Sequence, residues 1–218
     1  MNFFGHAVVA SWHSSEPAFV LGAMLPDLAE ILRARLKRAN DPLIAKGVRW
    51  HVATDRCFHR SATFRALEGH ALSELRDGGV GKGARRGVAH IGVELLIDDA
   101  LSGDASARRV FRSALSWAAE GGADAGVEWS SPATPALGGL CARLLEHGRE
   151  HTRVTPERLA AQLSRILGAR PRLALAAREA DAIVRWARAA QPEVEGRLPA
   201  LLAELARDLE QQPELAAL

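Results

Sequence analysis

Apolar residues recur at steps of three and four along nearly the whole chain, and the points where that rhythm breaks divide it into helices. Residues 5 to about 13 form the first. Ser14-Ser15-Glu16-Pro17 reads as a break and a restart, with a cap and an early proline for a helix that residues 19–24 continue. Pro26 is expected to restart the chain again, placing Asp27 at the head of the amphipathic run LAEILRARLKR, where a carboxylate suits the helix dipole. Beyond Asn40-Asp41-Pro42 a long helix reaches about residue 62, with Val48, His51, Asp55, Phe58 and His59 along one side, and another covers 63–76. Residues 78–83, GGVGKG, are expected to be a flexible connection.

Residues 85–101 predict a mostly apolar helix, with Ile91, Leu95 and Ile97 among its buried positions and three carboxylates embedded in it. Ser102-Gly103-Asp104 ends that helix and caps the next, which reaches about residue 120. GGADAGVEWSSPATP then reads as a loop. Further helices are expected at about 136–150, 156–167, 171–190 and 198–209, and no internal repeat is visible. The expectation is an all-α, single-domain helical bundle over residues 1–218.

Composition supports helix. The chain is rich in alanine, leucine, arginine and glutamate and has no tyrosine, and 48% hydrophobic with 25% charged residues is ordinary for a folded protein. A net charge of +2 is too small to imply nucleic acid. Even so, Arg33, Arg35, Lys37, Arg38, Lys46, Arg49, Arg56, Arg60 and Arg65 crowd one stretch, which could receive an acidic partner or be solvated helix faces. Cys57 and Cys141 are far apart and fit neither a disulfide framework nor a zinc finger. MNFFGHAVVAS lacks the basic start and unbroken apolar core of a signal peptide, and no segment approaches the roughly 20 apolar residues of a membrane span. A cytoplasmic protein without membrane insertion is expected.

The chemistry lies in histidines and carboxylates at helical spacing. His51 and Asp55 are four apart, so their β-carbons are about 5 to 6 Å apart on one helix face. Glu94 and Asp98 repeat the spacing among apolar neighbours, and burying unpaired carboxylates costs several kcal/mol, which implies a cation, an arginine or an open cleft. His6 and Asp27 add an imidazole and a carboxylate from two more segments. A mixed set of this kind suits manganese, iron, zinc or magnesium. Each residue also has a plain alternative: His6 a near-terminal polar group, Asp27 a helix cap, Glu94 and Asp98 partners of Arg85, Arg86 or Arg49. His59 stands one helical step beyond Asp55, and His90 four before Glu94, as ligand, supporting or acid-base candidates. His13, His70, His147 and His151 need no more than solvent-facing or capping roles. GGVGKG lacks the preceding strand and following Ser or Thr of a phosphate loop, and no Gly-x-Ser-x-Gly elbow is present.

Taken in order, MNFFGH at 1–6, LGAMLPDL at 21–28, GVRWHVATD at 47–55, ELLIDDAL at 94–101 and GARPRLALA at 168–176 resemble the acyl carrier protein phosphodiesterases, helical relatives of the HD-type metal-dependent phosphohydrolases. The resemblance implies an HD-like helical fold and a divalent metal, manganese first, held by His6, Asp27, His51, Asp55 and Asp98. It implies release of 4'-phosphopantetheine from holo-acyl carrier protein, with Glu94, Asp98 or His90 accepting a proton and His59, Arg49 and Arg56 near the substrate. The chain departs from the family at three places: Asp98-Asp99 stands where Asp-His is usual, Glu94 replaces an aspartate, and His59 replaces another. The start and LGAMLPDL are also similar to zinc-dependent phospholipase C-like proteins. Nucleotide phosphohydrolysis, or a non-catalytic helical protein with structural His and Asp pairs, are the other classes the residues allow.

Overall fold

The computed structural model describes residues 1–123, 126–130, 137–147, 153–168 and 173–215. The fold is all-α. The helices are α1 (Phe3–Ala10), α2 (Pro17–Ile31), α3 (Pro42–Arg60), α4 (Ala62–Asp77), α5 (Lys82–Leu101), α6 (Ala105–Ala119), α7 (Leu137–His147), α8 (Pro156–Gly168) and α9 (Ala180–Glu210). Two short strands, β1 (Leu36–Ala39) and β2 (Val127–Trp129), pair antiparallel. No helix among the described residues is long and apolar enough to cross a membrane. The chain divides into two compact units: Met1–Cys57 with Leu101–His151 and Arg207–Leu218, and Phe58–Ala100 with Thr152–Ala206.

In the first unit α1, α2, α6 and α7 pack together. Phe111 of α6 meets Phe4 edge to face at 5.0 Å and stacks near Phe3 at 6.0 Å. Two glycines let α2 and α3 cross with their backbones in contact. A Cβ on Gly22 would lie 2.3 Å from the Ile44 carbonyl oxygen, and one on Gly47 would lie 2.1 Å from that of Phe19. Asp41 caps α3, its Oδ1 accepting from the N–H groups of Leu43 and Ile44 at 2.8 and 3.0 Å.

Pro26 does not restart the chain. It lies inside α2, where residues 18–25 are all buried, and that packing offsets the lost hydrogen bond. Asp27 is therefore a mid-helix residue and caps nothing. Nor does LAEILRARLKR continue as helix. Arg33 takes a left-handed conformation with φ 52, its N–H donates to the Glu30 carbonyl, and the Ala34 N–H returns to Ala29 at 2.9 Å. This double closure ends α2 and frees residues 36–39 to form β1 against β2, a strand inside the stretch expected to be a loop.

In the second unit α5 runs close to α8 and α9. A Cβ on Gly92 would meet Trp186 at 2.6 Å, and one on Gly87 would meet Leu167 at 2.7 Å. Val88, Val93, Leu96 and Ile97 form the buried side of α5, whereas Ile91 and Leu95 are only half-buried, so the apolar face is rotated from the one expected. Glu204 of α9 accepts from Ser61 Oγ at 2.6 Å and Thr63 Oγ1 at 2.7 Å, while Ser61 caps α4 through Phe64 N–H. The two helices expected at 171–190 and 198–209 are replaced by the single α9, which runs through Pro192 and Pro199. Residues 171 and 172 of the first of these, residues 136 and 148–150 of the helix expected at 136–150, and residues 169–172 of the GARPRLALA block lie outside the described residues. In the GGVGKG connection, Gly81 N–H donates to Glu179 Oε1 at 2.8 Å and α5 has already begun at Lys82.

Candidate metal centre

The Gly22–Gly47 crossing sets the first centre. It brings α3 against α2 closely enough for His51 Nδ1 to lie 2.8 Å from the Ala23 carbonyl oxygen. A carbonyl only accepts, so Nδ1 carries the proton and Nε2 keeps its lone pair. Burial pushes the His51 pKa down, against the opposing pull of the Ala23 hydrogen bond and the Asp55 charge, which favours the neutral imidazole that a metal needs. His6, fully buried on α1, places its ring 3.9 Å from that of His51. Asp27 comes from α2. One donor atom from each of His6, Asp27 and His51 lies within 4.8 Å of the others.

Three of the five ligands expected from the sequence thus come together from three helices. Asp55 stands one turn beyond His51 and acts on it by charge, but does not join the three-donor set. Asp98, half-buried on α5 in the second unit, belongs to no three-donor group among the described residues. Arg49 and Arg56 are exposed on α3, on the face opposite the buried His51.

A second group forms in the second unit from His59, His90 and Glu94, with donor atoms again within 4.8 Å of one another. Sequence spacing pointed to each of these residues but not to their meeting. It missed Glu68 of α4, whose Oε1 lies 2.9 Å from His90 Nδ1, because a glutamate on a half-exposed helix face carries no signal. Asp99, one of the departures from the resembled pattern, accepts from Val154 N–H at 2.8 Å and pairs with Arg153, which makes it a tie between segments. His70 pairs with Glu193 at 2.7 Å on the surface. His151 lies outside the described residues. Both cysteines are buried, and burial raises the Cys141 thiol to about 11, too high for a nucleophile at neutral pH.

No family model matches this chain, and neither a curated protein nor a solved structure matches it.

Proposed function

We propose that this protein is a metal-dependent phosphodiester hydrolase whose centre is built on His6, Asp27 and His51. The observation that carries the reading is the convergence of these three donors from α1, α2 and α3, with His51 held in the tautomer that presents Nε2. Two imidazoles and a carboxylate suit manganese, zinc or iron, and magnesium less well because it prefers oxygen donors. Such an ion, when bound, supplies Lewis acidity toward phosphate oxygens and acidifies water. His6 and His51, both buried, keep solvent from the inner side of the centre. Asp55, one turn beyond His51 and acting on it by charge, would accept the proton of attacking water. Arg49 and Arg56, exposed on the side of the same helix turned away from His51, offer charge to an acidic protein surface.

The resemblance of the sequence blocks supports holo-acyl carrier protein as the substrate, with 4'-phosphopantetheine as the released group. The reading is tested on protein purified without added metal, by elemental analysis and by hydrolysis of holo-carrier protein and of bis(p-nitrophenyl) phosphate. Chelation should abolish hydrolysis and manganese should restore it, and His51→Ala and Asp27→Asn should each lower kcat/KM at least 100-fold, on the order of 3 kcal/mol, without loss of helicity. Undiminished hydrolysis by chelated protein or by His51→Ala would overturn it. Cleavage of the small diester but not of the carrier protein would keep the chemistry and replace the substrate.

A further inference from the structure

We infer that His59, His90 and Glu94 form a second divalent-cation site, of the zinc type, in which Glu68 fixes the orientation of His90. The first centre does not use these residues. His90 and Glu94 are four apart on α5, and His59 comes from the last turn of α3. His90 Nε2 lies 3.4 Å from Glu94 Oε1, and His59 Nε2 lies 3.8 Å from the same oxygen. Two ring nitrogens therefore converge on one carboxylate oxygen.

Hydrogen bonding sets the orientation of His90. Glu68 Oε1 is 2.9 Å from His90 Nδ1, a distance at which Nδ1–H donates to the carboxylate. That turns His90 Nε2 toward Glu94 Oε1, along the edge that a shared cation would span. A charge-assisted hydrogen bond would draw nitrogen and oxygen to about 2.7–2.9 Å. The observed separations are longer. Bonds of about 2.0–2.1 Å to a tetrahedral zinc ion would instead set its ligand atoms about 3.3 Å apart. The 3.4 Å edge already has that length, and the other edges, within 4.8 Å, close by small movements of His59.

The surroundings fit a metal site as well. The carboxylate–imidazole arrangement of Glu68 and His90 is the outer support that metal-bound histidines commonly have. Phe64, 1% exposed, stands edge-on to both imidazoles, with ring centres 5.3 Å from His59 and 5.7 Å from His90, and so restricts their rotation. The Glu94 side chain is only 13% exposed, so its oxygen is largely withdrawn from bulk water beside the two rings. The His59 and His90 side chains are 33% and 41% exposed, leaving one side open for water as a fourth ligand. Two imidazoles, one carboxylate and an open position make a zinc donor set.

Zinc chloride titrated into the metal-stripped, full-length protein tests the site through stoichiometry and affinity. Wild type should bind two equivalents. His90→Ala and the isosteric Glu94→Gln should each remove one, leaving the equivalent that His51→Ala removes. Glu68→Gln should keep both equivalents and weaken one by 10- to 100-fold, an effect that a merely structural glutamate would not produce. Wild-type stoichiometry and affinity in a folded His59→Ala/His90→Ala protein would overturn the proposal, as would a wild type that binds no zinc or only the equivalent lost in His51→Ala. Failure of the first centre reads differently: His51→Ala would then leave zinc binding unchanged while His90→Ala still reduced it.

Discussion

Glu204 shows how one side chain makes a helix start depend on pH. Burial opposes its ionisation, but hydrogen bonds from Ser61 Oγ, Thr63 Oγ1 and the N–H groups of Thr63 and Ala62 outweigh that cost and hold its pKa below 4.5. A carboxyl with a lowered native pKa contributes its full stability above the ordinary value. That contribution is lost as pH falls through the native value. Glu204→Gln places an amide NH2 group among donors, so it should cost about 1–2 kcal/mol of unfolding free energy at pH 7. Urea titrations from pH 7 to pH 3 should show the gap between variant and wild type closing below pH 4.5. A gap that is constant over that range would show that the carboxylate charge contributes nothing. Side chains such as this, and Glu68 beneath His90, were illegible in the sequence because their partners lie far away along the chain. His51 and Asp55 were legible because their partnership is local and follows from the helical period alone.

Helices were read well wherever their ends carry their own chemistry. Asp41 before α3 and Asp104 before α6 both cap through their carboxylates, and both boundaries were visible. Prolines misled in one direction, suggesting breaks where the helix continues, because Pro26, Pro192 and Pro199 all lie inside helices whose packing outweighs their local preference. The end of α2 was missed for another reason: its stop signal is Arg33 at a position where glycine is the usual residue, so no glycine marked it. Without that stop the run through Arg38 counted as helix, and β1 with its partner β2 was hidden. Arg33→Gly should relieve the left-handed strain and stabilise the protein by about 1 kcal/mol, or roughly 2–4 °C in Tm for a chain of this size. A lower Tm would show that the arginine side chain contributes more than its backbone conformation costs. The crossing of α2 and α3 was equally hidden. Gly22 and Gly47 stood in view, but only the fold shows that each receives the other helix's backbone, and that this contact delivers His51 to Ala23.

At the scale of the whole chain, the proposed centre on His6, Asp27 and His51 would couple metal binding to folding. Its donors come from α1, α2 and α3, which are far apart in sequence and meet only when the first unit is folded, so the unfolded chain offers no equivalent site. An ion bound only to the folded form stabilises it by about 2.7 kcal/mol at one hundred times its Kd. For a chain of this length that corresponds to roughly 5–10 °C in Tm. Measured in a His90→Ala background, which silences the second set of donors, manganese at that excess over chelated protein should raise Tm by this amount. Adding His51→Ala should abolish the rise. The combination separates linkage from general ionic effects, since exposed charges respond to added salt equally in both proteins. Hydrogen exchange gives the same linkage a location: manganese should slow the amides of α1, α2 and the part of α3 before Cys57, where the donors sit. An equal rise in Tm with and without His51 would remove the imidazole from the centre and, with it, the convergence on which the hydrolase reading rests.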